Sequence, residues 1–331
     1  MKGSKVMAFD LFLASFDDAK IIDYGYEHDY PLLYSQINNR NYIKKHFVAQ
    51  EEGRTKGKLF VDSGAHSAHT KGIKLDLDEY MGFVNDNIDK IYVYVQVDKI
   101  PGQYLKPKTQ KDFLEAPELS WENYLLMHEK SKDWTKLIPV FHQGEDLKWL
   151  KNMLDYKFSD GSQIPYIGLS PRGDVSLKDK YDFCASCFAE IQKSTNPNVK
   201  THAFGATSLS MLERLPFTSA DSTTWVLVSA FGQVWIPTGI TGNGIDDTVG
   251  VKLGVSKENI KHPTATQTYW EQSAEVKKKL DDYFESIGTN IEKLSESHTE
   301  RSLASAKFCQ DWAANYEYRG LKSFVSSKAL F

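Results

Sequence analysis

Eight short apolar runs recur between residues 5 and 221, and segments with helical periodicity separate them. The runs span 5–14, 30–35, 58–62, 91–98, 136–141, 164–169, 199–204 and 217–221. Most are continuously apolar rather than alternating, as strands buried on both faces of a parallel sheet require. Between them, 75–88 places Leu75, Tyr80, Phe83 and Val84 near one helical face, 146–156 does the same with Leu147, Leu150, Met153 and Leu154, and 177–193 repeats the pattern. Strand alternating with helix predicts βαβ units and a parallel sheet. Eight repeats predict an α/β fold of the (β/α)8 TIM-barrel type over residues 1–255, with an open doubly wound sheet as the alternative. Beyond residue 221 the character changes. Residues 224–240 read as a β-hairpin or meander with Gly232 at its turn, 241–254 as a Gly-rich loop, and 264–287 and 301–318 as charged helices. Residues 256–331 are therefore expected to form a helical C-terminal extension packed on the barrel.

Charge and cysteine content narrow the function. Lys plus Arg total 40 and Asp plus Glu 44, so the net charge is −4. That argues against a protein that coats DNA by neutralising phosphates, though it allows a local basic groove. Three cysteines provide no disulfide framework, and a reducing, cytoplasmic setting is expected. Mean hydropathy is −0.46, and no apolar run approaches the ~20 residues that span a bilayer. The opening MKGSKVMAFDLFLASF is broken by Asp10 and reads as a first strand rather than a signal peptide.

The strand ends carry the polar residues. They read Asp62-Ser63-Gly64, Asp98, His142-Gln143-Gly144, Gly168-Leu169, Phe204-Gly205 and Asp221-Ser222. Barrel active sites lie at the C-terminal ends of the strands. A carboxylate there is partly desolvated and can serve as acid, base or nucleophile. A single Asp after a strand more simply caps the next helix or makes an Asx turn; three of them beside Gln143 fit that explanation less well. No P-loop or Rossmann glycine motif follows an early strand, and no G-x-S-x-G elbow occurs. Carboxylates, an amide and backbone N–H groups suit a planar heterocycle with several donors and acceptors, such as a purine. Cys184 and Cys187 have C-x-x-C spacing but fall on an amphipathic helix beside Phe183 and Phe188, so burial in the core is expected. His142 and His202 lie beside the strand ends and read as supporting or substrate-contacting groups, not metal ligands.

These segments, in this order, resemble the tRNA-guanine transglycosylases, TIM barrels that exchange guanine for a 7-deazaguanine base. Phe60-Val61-Asp62-Ser63-Gly64-Ala65 resembles the family's D-S-G-G motif, and Gln96-Val97-Asp98 its second base-site aspartate. His142-Gln143-Gly144 is similar to its Q-G segment, and Tyr166-Ile167-Gly168-Leu169 with Gly173-Asp174 to its glycine-rich stretch. His202-Ala203-Phe204-Gly205 followed by Ser219-Ala220-Asp221-Ser222 resembles the segment ending in the nucleophile. The match covers about residues 58–236. Only Cys309 lies where the family carries three zinc-binding cysteines, so no structural zinc is expected. Thr223-Thr224-Trp225-Val226-Leu227-Val228 replaces the basic residues that follow the nucleophile in tRNA enzymes. Both departures resemble the zinc-free, DNA-modifying branch of the superfamily (DpdA-like enzymes of phages and bacterial islands).

The resemblance implies a mechanism. Asp221 is the nucleophile at C1′, and Asp62 is the acid–base. Asp98 accepts from guanine N1 and N2, while Gln143 and the Gly168 N–H serve O6. Ser63, Leu169 and Gly205 line the base site, and His66 and Phe204 sandwich the base. Arg172, Lys99, Lys106 and Lys108 would line a nucleic-acid backbone groove, although a solvated lysine-rich loop explains the lysines more simply. The co-substrate is a free 7-deazaguanine base, no cofactor is needed, and DNA is the polymer. A tRNA substrate, a non-catalytic nucleic-acid-binding subunit and a metal-dependent barrel hydrolase stay open as alternatives, as do a homodimer and an accessory protein as partners.

Overall fold

In a computed structural model, the protein is described over residues 9–15, 18–102, 105–107, 109–205, 208–240, 249–258 and 267–319. Its centre is a parallel sheet of β1 (Asp10–Ala14), β2 (Leu32–Ser35), β3 (Leu59–Asp62), β4 (Val93–Val95), β5 (Leu137–Ile138), β6 (Val140–His142), β7 (Tyr166–Ser170), β8 (Lys200–Ala203) and β9 (Ser219–Ser222). Apart from β5 and β6, each pairs with the next in sequence, and β1 pairs with β9. β5 and β6 are two halves of one strand, interrupted at Pro139, which has no N–H to give the ladder. β5 bonds β4 and β6 bonds β7, so this broken strand closes the cylinder. Each of the eight apolar runs carries a strand, the first over Asp10–Ala14, and the fold is a (β/α)8 barrel.

Period-2 alternation sorts the side chains. Leu11, Leu13, Leu59, Val61, Leu137, Phe141, Ile167, Leu169, Ala203 and Ala220 face outward into the core shared with the helices. Phe12, Phe60, Val93, Val95, Ile138, Val140 and Tyr166 fill the interior. Helices Leu77–Asp86, Leu147–Asp155 and Leu177–Lys193 lie where the periodicity places them. Cys184 and Cys187 are fully buried and unpaired.

The region after β9 differs from expectation. Residues Thr224–Ala230 form a helix rather than the first arm of a hairpin. Trp225, Val228 and Ser229 bury one face at helical spacing, and the Trp225 indole N–H donates to Ala14 O at 3.0 Å. Gly232, at φ +74°, turns the chain into β10 (Gln233–Pro237). The antiparallel partner of β10 is β11 (Gly250–Gly254), flanked by β12 (Gln267–Thr268). Residues 241–248 of the Gly-rich segment lie outside the described residues.

Val234, Ile236, Val251, Leu253 and Val255 build a second core with Tyr269, Leu280, Phe284, Ile291, Leu294 and Ala304. Helix His298–Ala314 joins this core to the barrel: Ala304 packs in the second core, while Phe308, Cys309 and Ala313 pack in the first. Its Arg301 is 7% exposed and donates to Ser229 O at 2.9 Å and Leu294 O at 2.8 Å. One guanidinium thus satisfies carbonyls at the C-terminal ends of two helices, groups that lack intrahelical donors. Among the described residues, no helix is long and apolar enough to cross a membrane.

Candidate functional site

The interior columns of the barrel change character at their last step. Phe60 on β3 is followed two residues later by Asp62, Val140 on β6 by His142, and Ser219 on β9 by Asp221. Each inward position passes from packing to chemistry because the strand ends there, at the C-terminal mouth. Asp98 joins them from the loop after β4.

Asp62 is desolvated, and the charges of Asp98 and Asp221 reach it. Burial first, and then those two carboxylates, push its carboxyl up to about 7, against backbone N–H bonds from Gly64 and Ser63 that favour the charge. The Gly64 N–H lies 3.3 Å from Asp62 Oδ2. Gly64 holds φ +82°, and a Cβ there would stand 2.7 Å from Ile37 Cγ1, so only glycine makes this turn.

Asp98 belongs to a second arrangement. Its Oδ2 lies 3.0 Å from His142 Nε2, and His142 Nδ1 lies 3.2 Å from Glu145 Oε1. The Glu145 carboxylate also accepts from the His142 backbone N–H at 3.0 Å. Burial disfavours the imidazolium, but the two carboxylates outweigh it and push His142 up to about 10. His142 is therefore a cation at neutral pH, gripped from both ring nitrogens.

Asp221 has a different partner set. Its Oδ1 accepts from the Gly205 N–H at 3.1 Å and lies 3.3 Å from His202 Nε2. His202 is wholly buried, with Phe60 and Phe204 rings at 4.6 and 4.4 Å. Its Nδ1 meets Ser219 Oγ, which also meets the Tyr166 hydroxyl.

Asp98 and Asp221 thus both lie close enough to Asp62 for their charges to act on it. Phe204 is half-buried, its ring resting on Gly168, where a Cβ would stand 2.3 Å from Phe204 Cε2. Gly205 is exposed beside Asp221, and His66 is exposed on helix Ala65–Lys71 after the Asp62 turn. Ser63 is buried, and its hydroxyl has no partner among the described residues.

Other residues lie elsewhere. Gln143 follows an inward residue and points away: its amide donates to Asp179 O at 3.2 Å and accepts from the Arg172 N–H at 2.9 Å. The Gly168 N–H is spent on Pro139 O at 2.8 Å, and Leu169 faces the outer core. The Arg172 guanidinium pairs with Asp174 at 2.6 Å. Lys99 and Lys106 are exposed, and Lys108 lies outside the described residues. A cavity of about 360 Å³ opens between Gln143–Leu147 and helix Leu177–Lys193, and none of the three aspartates lines it.

His142, Glu145, Ser219 and Tyr166 have structural roles that the motifs alone did not assign. The available signal was parity: His142 sits two residues beyond Val140, and Asp221 two beyond Ser219. Among the described residues, no group of three His, Cys, Asp or Glu side chains converges as a metal ion requires. No protein-family model matches the chain, and no curated protein is significantly similar to it.

Proposed function

We propose that this barrel is a base-exchange transglycosylase that replaces guanine in DNA with a 7-deazaguanine through a covalent aspartyl–sugar intermediate. The observation that carries the proposal is the pairing of two unlike carboxylates at the mouth. Among the described residues, both donors that meet Asp221 lie on Oδ1, which leaves Oδ2 to attack. Asp62 sits near its midpoint at neutral pH and can give or take a proton.

In the first half-reaction, Asp221 Oδ2 bonds to C1′ as the C1′–N9 bond breaks. The bonding pair goes to the departing guanine, which takes a proton from Asp62. In the second, Asp62 removes the N9 proton of the incoming base, N9 attacks C1′, and the ester bond breaks. Two displacements retain configuration at C1′. Asp98, with Oδ2 held by His142, offers its second oxygen to the guanine N1 and N2 hydrogens. Phe204 and His66 supply flat surfaces for stacking, and a target base in a duplex must first be extruded. Gln143 serves O6 only by releasing Arg172 and Asp179.

The test is incubation of the protein with guanine-containing DNA or bulk tRNA and a panel of 7-deazaguanine bases, followed by nucleoside mass spectrometry with Asp221→Ala as control. A 7-deazaguanine nucleoside in the DNA digest alone, absent from the control, is the expected result. Incorporation into tRNA alone moves the activity to RNA. A chelator-sensitive hydrolytic product overturns the proposal.

A further inference from the structure

Asp221, Ser219, His202 and Tyr166 form a buried hydrogen-bonded series whose polarity can be worked out atom by atom. A carboxylate only accepts, so the 3.3 Å contact between Asp221 Oδ1 and His202 Nε2 puts a hydrogen on Nε2. In a neutral ring Nδ1 is then bare and accepts from the Ser219 hydroxyl. Ser219 has thereby spent its hydrogen, so its oxygen accepts from Tyr166. Burial pushes the Tyr166 phenol up, which keeps it a donor. Every polar side-chain atom of His202, Ser219 and Tyr166 is satisfied. The opposite polarity, with an imidazolium donating to Ser219 and Ser219 to Tyr166, leaves the phenol hydrogen without an acceptor among the described residues. His202 and Ser219 are 0% exposed and Tyr166 3%, so bulk solvent does not reach these three side chains.

We propose that His202 is a positioning residue for Asp221: a neutral imidazole fixed as the Nε2–H tautomer by Ser219 and Tyr166, which with the Gly205 N–H holds Oδ1 and stabilises the carboxylate as a leaving group. The inference rests on the proposed function for its kinetic consequence, but the tautomer stands apart from it. When the ester forms, Oδ2 bonds C1′ and Oδ1 becomes the ester carbonyl. When the incoming base attacks, the C1′–Oδ2 electron pair returns to Asp221. Negative charge then develops over both carboxylate oxygens, one of them already facing two donors. Donors fixed in advance at a site of developing charge accelerate that step most. His202 therefore speeds resolution of the covalent intermediate more than its formation.

Two measurements test this. Nitrogen-15 spectra of imidazole-labelled protein, with the His202 signals assigned by their loss in His202→Gln, should show Nε2 protonated and Nδ1 bare at neutral pH, and Ser219→Ala should perturb that pattern. A protonated Nδ1 overturns the relay whatever the protein catalyses. In the second, the wild type, His202→Phe and His202→Gln are given guanine-containing DNA. Covalent protein–DNA adduct is trapped on denaturing gels, and labelled guanine exchange is followed. His202→Phe should lower exchange by about a hundredfold while the adduct fraction at steady state rises. His202→Gln, which returns an N–H near the Nε2 position, should recover most of the exchange. Equal loss of adduct formation and resolution in His202→Phe, or no recovery in His202→Gln, overturns the leaving-group role. Absence of exchange by the wild type on DNA and tRNA alike overturns the functional proposal and leaves the spectra to judge the tautomer.

Discussion

Two histidine–aspartate pairs stand at the barrel mouth, and their neighbours make them opposites. His142 stands between Asp98 and Glu145, with a carboxylate on each ring nitrogen. His202 stands between Asp221 and Ser219, with a carboxylate on one nitrogen and a hydroxyl on the other. The first arrangement demands two ring hydrogens and makes a cation. The second needs one and suits a neutral ring. The difference teaches that a histidine's charge is set by what its far nitrogen meets, not by the aspartate both pairs share. The two aspartates consequently do different work in the proposed reaction, one presenting an acceptor to a base and the other a nucleophile to a sugar.

The contrast can be broken in order of expected size. Asp221→Asn removes the attacking oxygen's charge and should lower exchange by at least about a thousandfold, with thermal unfolding little changed. Retained exchange would remove Asp221 from the nucleophile's role.

Asp62→Asn tests the group between the two pairs. Its folded carboxyl titrates near 7 against an ordinary 3.8. The stability that the neutral carboxyl contributes is complete below pH 3.8 and is lost as pH rises through 7. Wild type and Asp62→Asn should therefore unfold alike near pH 4. At pH 8 the variant should be the more stable, by up to ~4 kcal/mol. Urea titrations at the two pH values check this, and a variant equally or less stable at pH 8 counts against a buried charge. In the exchange assay the same variant should block base insertion more than base release.

His142→Gln should show the opposite trend. The folded pKa of His142 lies near 10, above its ordinary 6.5, so its contribution is fully present below 6.5 and fades as pH climbs through 10. The ring is about a quarter exposed, which weakens the pairing through solvent screening, so a loss of about 2 kcal/mol at pH 6 is expected. That loss should shrink toward zero by pH 10. A pH-independent deficit would mean that the ring acts by packing alone.

The smallest effect is reserved for Gln143→Ala. Because its amide is tied to Arg172 and Asp179, exchange should fall less than about tenfold. A larger fall, with unfolding unchanged, would show that the amide leaves those partners to meet the base.

The barrel was legible because its signals are local. Each strand is a contiguous apolar run, and each catalytic candidate is the carboxylate that ends one. Non-local facts were not legible. Strand parity ties His142 to Val140 and Gln143 to Phe141, but which of the two columns faces inward is settled only when the neighbouring strands and helices are in place. Whether the Gly168 N–H is free depends on Pro139, which belongs to the neighbouring strand. The segment Trp225–Val228 is apolar at both strand and helix spacing. Its helical state follows from burial of Trp225 against β1, a contact more than two hundred residues away in sequence.

The bare α-carbon of Gly168 beneath the Phe204 ring has an evolutionary consequence. Part of the mouth is shaped by an atom that is absent, so position 168 is closed to every other amino acid while that ring stays in place. Position 204 carries no such restriction, because smaller side chains only enlarge the space above the glycine. Inherited variation in the size of what this barrel accepts should therefore arise at 204 first, and a larger residue at 168 can follow only after 204 has yielded room.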